Sequence, residues 1–321
     1  MARGPLYQHG YEPQFSGHET FPLRYGWLKK AFDRVAKTEN EPDNRVACWD
    51  DGAIARFGVG KNMVASMRHW GSAAGILSEL QRSPLIRTTN LGRMLFDDED
   101  GLDPYMEYPA TLWLVHWQLT ANPVKTTWFW AFNHYPALTF EREHLIQGVS
   151  RLAKDRGWSR LAAATVKNDV ACFIRSYVAQ QLSPQAGNDD ALESPLTELG
   201  LIKAIGKRDG FRFVRGPKST LGDGVFVYAV LDFWSRYSEK ATTLSFEAIA
   251  HEPGGPGRVF LFDENDVADR LAGLEDATKG KLRWSETAGL KQVVRDPNLN
   301  FEKALSYVKV DYIGKNRWKA A

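Results

Sequence analysis

The chain has few cysteines and little net charge, and both features limit its class. Only two of its 321 residues are cysteine, Cys48 and Cys172, and their spacing is not that of metal ligands. We therefore expect a reducing compartment and no disulfide framework. The 41 Lys and Arg residues nearly balance the 39 Asp and Glu residues, so the formal net charge is only +2. A nucleic-acid surface must then be a local basic patch, because the whole protein is not a polycation.

Long apolar runs are also missing from the sequence. No run reaches the roughly 18 residues that a membrane span requires. The N-terminus lacks the charged-then-apolar order of a signal peptide. These absences predict a cytoplasmic protein that does not use a membrane. The hydrophobic fraction of 43% and the charged fraction of 25% are typical of a globular protein, and the length favours about two or three domains.

The segment from Ile54 to Leu77 has the pattern of a helix-turn-helix. A short helix is predicted over 52–57, and Gly58 stands where the chain must turn sharply. A second helix is predicted to start near Gly60, with an apolar stripe at helical spacing; the stripe comprises Met63, Val64, Met67 and Trp70. The opposite face has polar side chains that can bind phosphates and base edges of DNA: Lys61, Asn62, Ser66, Arg68 and His69.

The residues that follow predict the wing of a winged helix. A strand is expected to begin within 73–77, to return over 82–89 and to lead into a helix from residue 91. We predict that Arg82 and Arg87 hold a DNA phosphate from this wing. The alternative is that Lys61 and Arg68 merely form a solvated helix face, as a basic helix face usually does.

A weaker copy of this theme follows in the middle of the chain. Helices are predicted over 140–153 and 165–177, with Thr165 as the N-cap of the second, and a basic strand and loop over 211–218. Four basic residues of this copy are candidate DNA contacts: Lys167, Arg175, Arg215 and Lys218.

These patterns predict a mainly α fold with small β wings, an α+β protein with tandem winged-helix-like domains. The expected domains are an N-terminal winged helix over 1–133, a second winged-helix-like domain over 134–240 and a small α+β domain over 241–321. In the last domain we expect a turn into a strand over 253–262.

Four tryptophans are predicted to fill a core, with stacking on unpaired bases as the alternative: Trp113, Trp117, Trp128 and Trp130.

Motifs for nucleotide chemistry are weak. The Gly58–Lys61 segment is not a phosphate-binding loop, because Ala55 replaces the first glycine of that motif and Asn62 replaces its Ser or Thr.

The loop around His18 and Glu19 contains side chains that can catalyse hydrolysis or bind a metal ion. We predict His18 as a base or metal ligand and Glu19 as a catalytic residue and magnesium ligand. Local capping and packing of this loop is the alternative.

An acidic segment over 97–107 is a second candidate for Mg²⁺ binding. Asp103 and Glu107 are four residues apart and would share one helix face, so their carboxylates could hold the ion together. The alternative is an exposed acidic loop that caps the following helix.

Several of these segments together resemble a bacterial family that is encoded beside phosphorothioation genes and whose domain has no assigned name. Its best-described members are the SspB-type DNA-nicking proteins. The resemblance rests on 15–24, on 58–64 with Arg68 and Trp70, on 101–105 with 110–114, and on 195–202 and 257–260. It implies a DNA-binding protein that makes single-strand nicks, with Mg²⁺, for anti-phage defence. The implied partners are a cysteine desulfurase, an ATP pyrophosphatase-like protein and an ATPase, which together insert sulfur into the DNA backbone.

Two functions are compatible with these observations. The first is a magnesium-dependent DNA-nicking endonuclease that serves backbone phosphorothioation. The second is a non-catalytic winged-helix scaffold or regulator that presents DNA to the modifying enzymes. DNA is the partner in both, and a homodimer remains an open alternative.

Overall fold

The structure, a computed structural model, describes residues 4–44, 48–50, 52–79, 83, 85–158, 161–179, 193–206, 209–287 and 289–313. Contacts group these residues into two units that alternate along the chain. The N-unit comprises the described residues of 14–107 and 139–212, and the C-unit those of 4–13, 108–138 and 213–313. Neither unit coincides with the predicted domains 1–133, 134–240 and 241–321.

The fold is α+β, with many helices and three small antiparallel sheets, which confirms the predicted class. The helices are α1 (Trp27–Thr38), α2 (Ala53–Phe57), α3 (Lys61–Ala73), α4 (Asn90–Phe96), α5 (Pro109–Ala121), α6 (Thr126–Asn133), α7 (Arg142–Asp155), α8 (Ala163–Tyr177), α9 (Asp223–Ser238), α10 (Phe246–His251), α11 (Pro256–Val259), α12 (Glu264–Ala272), α13 (Leu274–Ala277) and α14 (Ala304–Val308). The strands are β1 (Leu77–Glu79), β2 (Ile86–Thr88), β3 (Thr139–Glu141), β4 (Ile202–Ile205), β5 (Gly210–Phe213), β6 (Thr243–Ser245), β7 (Leu282–Thr287) and β8 (Leu290–Arg295). Among the described residues, no helix combines the length and apolar composition that a bilayer crossing requires.

The N-unit contains the helix-turn-helix element that the sequence predicts. Helix α2 ends at Gly58, whose φ of 66° lies in the left-handed region that glycine adopts at little cost. Helix α3 then begins after Gly60 and buries Val64, Met67 and Trp70. These apolar side chains recur at helical spacing, so one face of α3 packs inward while the other stays polar.

A β-hairpin follows the helix-turn-helix. Strands β1 and β2 are antiparallel, with Leu77 opposite Thr88, and Thr89 then caps α4 by accepting a hydrogen bond from the Gly92 N–H at 2.9 Å. Farther along, α7 and α8 are associated with a three-stranded sheet of order β3-β5-β4. Helix α8 begins at Ala163 with Ala162 as its N-cap, so the predicted cap at Thr165 is wrong by one turn.

The C-unit is built around α5, which is apolar on nearly every side and almost entirely buried. The four tryptophans of the predicted core are each at most 9% exposed. Two of their indole N–H groups donate inside the unit, from Trp113 to Thr220 Oγ1 at 3.1 Å and from Trp117 to Asp232 Oδ2 at 2.8 Å. Burial of all four rings, together with the hydrogen-bonded N–H groups of Trp113 and Trp117, supports the core interpretation over base stacking.

The strand predicted within 253–262 is a short helix instead. Gly254 has a φ of 84°, and Pro256 occupies the first turn of α11, where its missing N–H costs nothing. Gly257 lies so close to the backbone of Ala250 that a Cβ atom would clash there. The Gly-rich sequence therefore makes a tight turn and a close packing contact and does not lead into the predicted strand.

Asp311 provides the cap for α9. Gly222 at the N-cap has no side chain, and the buried Asp311 carboxylate accepts from the Gly224 N–H at 3.1 Å and the Val225 N–H at 2.7 Å. This side chain thus does across 86 residues of chain what an N-cap residue does locally.

We predict that Asp311→Ala lowers the free energy of unfolding by about 1–2 kcal/mol, the usual cost of a lost helix cap. Asp311→Asn should lose less, because its amide oxygen still accepts. The exposed Asp269 of α12 supplies the control, since Asp269→Ala should change stability by no more than about 0.5 kcal/mol. Urea unfolding measures all three, and equal effects for Asp311→Ala and Asp269→Ala would contradict the capping role.

Candidate nucleic-acid interface and the 15–24 loop

The start of α3 combines exposed polar side chains with an open helix terminus. Lys61 and Asn62 are exposed, Gly60 supplies no capping side chain, and the first turn has no acidic residue. The partial positive charge of a helix N-terminus adds to that of Lys61. This end of the helix is therefore electrostatically suited to a phosphate.

Other predicted contacts on α3 have structural roles. Ser66 is fully buried and donates to the backbone oxygen of His18 at 3.0 Å, so it cannot reach a base edge and is removed from the predicted DNA contacts. His69 is half-buried and packs edge-on against Trp70 with ring centroids 5.4 Å apart. Arg68 forms a bidentate ion pair with Glu79 of β1, at 2.9 and 2.5 Å, which holds the hairpin against α3.

The predicted wing contacts fall into two groups. Arg87 is exposed on β2, opposite Ser78 of β1, and is available for a phosphate. Arg82 lies outside the described residues. The hairpin therefore offers one described arginine in the position that the wing hypothesis requires.

The four candidates of the second copy belong to different units. In the N-unit, Lys167 is exposed on α8, whereas Arg175 of the same helix donates to the backbone oxygen of Thr20. In the C-unit, exposed Arg215 donates to the Phe262 carbonyl at 3.3 Å. Lys218 is 8% exposed and its ammonium donates to the carbonyls of Gly216 and Leu261.

Lys218 is therefore corrected from a DNA contact to a buried lysine that joins two loops of the C-unit. Burial lowers the pKa of its ammonium to about 8, and the nearby Asp266 carboxylate opposes this effect. A cation directed at internal carbonyls does not contribute to a phosphate surface.

The 15–24 loop is held in the N-unit by His18. The imidazole is 3% exposed, its Nδ1 accepts from the Thr20 N–H at 3.0 Å, and its Nε2 lies 2.9 Å from Asp169 Oδ1. Because Nδ1 is an acceptor, the proton of the neutral ring is on Nε2, which donates to Asp169. Both ring nitrogens are thus engaged, so the role of His18 as a base or metal ligand is replaced by that of a positioning residue.

The loop is fixed from two helices. Ser66 and Trp70 of α3 donate to the carbonyls of His18 and Phe21, the latter at 3.0 Å, while α8 contributes Asp169 and Arg175. Between these contacts Glu19 and Thr20 have φ values of 46° and 64°, a strained region for side chains other than glycine. The Glu19 side chain in this turn is exposed.

Asp169 is the residue of this loop anchor that the sequence does not predict. It lies on the inward face of α8 beside Val166, Val170 and Phe173 and is fully buried. A carboxylate within an apolar helical stripe requires a partner, because an unpaired buried charge is very costly. The occurrence of a carboxylate in the apolar stripe of α8 is therefore the feature of the sequence that indicates a buried partner for Asp169.

The predicted magnesium ligands are not brought together as a shared site. Residues 103–108 are not helical, so Asp103 and Glu107 do not share a helix face as predicted. Asp103 is 2% exposed and accepts from the Glu107 N–H at 2.7 Å, which stabilises a turn before α5. Within the described part of the chain, no three His, Cys, Asp or Glu side chains cluster closely enough to hold a metal ion. Glu19, Asp103 and Glu107 therefore do not fit a joint magnesium site.

We predict that Asp169→Ala lowers the free energy of unfolding by about 1–3 kcal/mol, because the buried His18 N–H loses this acceptor. Asp169→Asn keeps an acceptor oxygen and should lose less. Asp155→Ala, at an exposed position of α7, serves as the control. Denaturant unfolding measures each change, and a stable Asp169→Ala variant would contradict the proposed anchoring of the loop.

Comparisons with known proteins agree with the resemblance seen in the sequence. A family model described as a protein of unknown function, DUF4007, matches residues 15–312. The fold is similar to a crystal structure of magnesium ion-bound SspB, with a TM-score of 0.78, 30% identity and coverage of 94% of this chain and 97% of that one. A second SspB crystal structure gives a TM-score of 0.80, 31% identity and coverage of 94% and 88%. A comparison with curated proteins finds no match. The chain therefore belongs to the DUF4007 family, and its fold is similar to that of SspB.

Proposed function

We propose that the protein binds DNA and nicks one strand during phosphorothioation of the DNA backbone. The observation that carries this proposal is the similarity to SspB, which covers 94% of the chain at 30% identity. A similarity of this extent includes both units and supports a shared role in a phosphorothioation system. The partners we propose are a cysteine desulfurase, an ATP pyrophosphatase-like protein and an ATPase, acting with this chain in the cytoplasm in anti-phage defence.

We assign DNA binding to the helix-turn-helix of the N-unit, read as a winged helix. In such motifs the N-terminal residues of the second helix contact base edges in the major groove. Lys61 and Asn62 are the exposed residues at that end of α3, and Arg87 is exposed on the adjacent hairpin. Lys167 on α8 would extend the basic surface.

The Mg²⁺ requirement is proposed from the magnesium ion-bound SspB structure. Mg²⁺ keeps several waters and often takes only one or two carboxylates beside substrate phosphates. Glu19 is the candidate carboxylate of this chain, because the strained turn presents it to solvent while His18 fixes the turn from below. Asp103 and Glu107 do not fit a site with it, and no step of the reaction is assigned to the ion.

We predict that Glu19→Gln lowers nicking of supercoiled plasmid by about 100-fold or more, because a neutral amide is a poorer Mg²⁺ ligand than a carboxylate and a bound metal ion contributes several kcal/mol of charge stabilisation. DNA affinity should be unchanged, because the side chain keeps its size. Glu99→Gln, a change at another exposed carboxylate of the N-unit, should nick normally. The assay compares Mg²⁺ with a chelator. A wild-type protein that binds DNA without nicking it would instead identify the protein as a scaffold.

For the DNA surface, we predict that Lys61→Ala weakens duplex binding and reduces the slope of log affinity against log salt by roughly 1, the effect of one lost phosphate contact. Lys154→Ala, an exposed change on α7, is the matched control. Arg68→Ala should have a smaller effect on the slope, because Glu79 already neutralises Arg68. Fluorescence anisotropy over a salt series measures these slopes, and equal slopes for Lys61→Ala and wild type would argue against α3 as the binding helix.

A further inference from the structure

A groove of about 640 Å³ opens in the N-unit between the start of α1 and the turn of the helix-turn-helix. Its volume lies within the range of small-molecule sites. One wall comes from residues 24–30 and the other from 54–63, which include Gly58 and Gly60. The groove therefore ends where Lys61 begins α3.

The charge of the groove favours an anion. Of the described residues that line it, Arg24 and Lys30 are cationic and none is acidic. The Lys30 ammonium donates to the Phe57 carbonyl at 3.2 Å, a contact that orients it without neutralising its charge. The Arg24 guanidinium lies over the rings of Phe21 and Trp27, 5.4 and 5.5 Å from their centroids. Arg24 is only 7% exposed and supports the wall from within, so Lys30 is the exposed cation of the groove.

The groove also presents apolar and aromatic surface. Tyr25 is 44% exposed and Ile54 43% exposed, although both are large apolar residues. The Tyr25 hydroxyl donates to the Glu198 carboxylate, so its ring is held in place while part of its surface stays open. A fixed aromatic ring beside cations is the combination that binds unpaired bases in single-stranded nucleic acid.

We infer that this groove binds one unstacked nucleotide of the DNA held at α3, with the base stacked on Tyr25 and the phosphate near Lys30 and the start of α3. The inference rests on the proposed DNA binding and identifies which form of DNA that surface accepts. The position of the groove favours DNA over a free nucleotide, because the adjoining helix end is where a helix-turn-helix meets the duplex.

The test uses fluorescence anisotropy with two probes, a fully paired duplex and the same duplex with one unpaired thymine in its centre. Wild type should prefer the duplex with the unpaired base. Tyr25→Ala should lower affinity for that probe about tenfold, the scale of one lost base–ring stack, with little effect on the paired duplex. Tyr25→Phe should retain the preference, as should Tyr105→Ala, which alters a 76%-exposed tyrosine of the same unit that does not line the groove.

The role of the Lys30 charge is tested against a matched charge change on the same helix, α1. Lys30→Glu and Lys37→Glu change the net charge equally, and both residues are exposed on α1, but only Lys30 lines the groove. Lys30→Glu should weaken binding of the unpaired probe several-fold more than Lys37→Glu does. Thermal unfolding of each variant checks that the fold is intact.

The outcomes separate this inference from the proposed function. Equal binding of both probes by wild type, or equal loss of both in folded Tyr25→Ala, overturns the groove while DNA binding stands. Preference for free thymidine monophosphate over the unpaired probe overturns it as well. A wild-type protein that binds neither DNA probe overturns the groove and the proposed function together.

Discussion

The hydrogen bond between His18 and the buried Asp169 is the interaction on which the candidate site depends. It joins the 15–24 loop to α8, while Ser66 and Trp70 join the same loop to α3. Because both imidazole nitrogens are used in this way, the ring cannot also serve a substrate. Its contribution is geometric: it fixes the two left-handed residues that follow it and so determines where the Glu19 carboxylate lies.

A second constraint is that many charged and polar side chains form ion pairs or hydrogen bonds within the fold. Arg68 is paired with Glu79, Arg175 with a loop carbonyl, and Lys218 with carbonyls of its own unit. Lys61 and Arg87 remain exposed at the start of α3 and on its hairpin, while other exposed basic side chains, such as Lys154 and Lys240, lie elsewhere in the two units. A nearly neutral protein can carry a local basic surface of this kind without a large net charge.

The sequence predicts local structure well where periodicity and glycine act together. The apolar spacing in α3 and the turn at Gly58 gave the helix-turn-helix with nearly correct bounds, since both signals are local. Prediction failed where a distant partner decides the role of a residue. Ser66 has the sequence environment of an exposed helix face, yet a loop 48 residues away buries it. The sequence predicts that Asp103 lies on a helix, yet that helix starts only at Pro109. No residue near His18 in the sequence indicates that Asp169 is its hydrogen-bond partner.

The separation between His18 and Asp169 also bears on how the protein is made. The two residues are 151 positions apart, and the chain between them includes part of the C-unit. During synthesis the loop that presents Glu19 emerges first and must wait for α8 before its anchor exists. Contacts between residues so far apart in the sequence slow folding and prolong the exposure of hydrophobic surface that the native fold buries. A chain that has not yet reached α8 therefore holds this loop only through α3, and the Glu19 turn gains its second anchor when α8 has been translated.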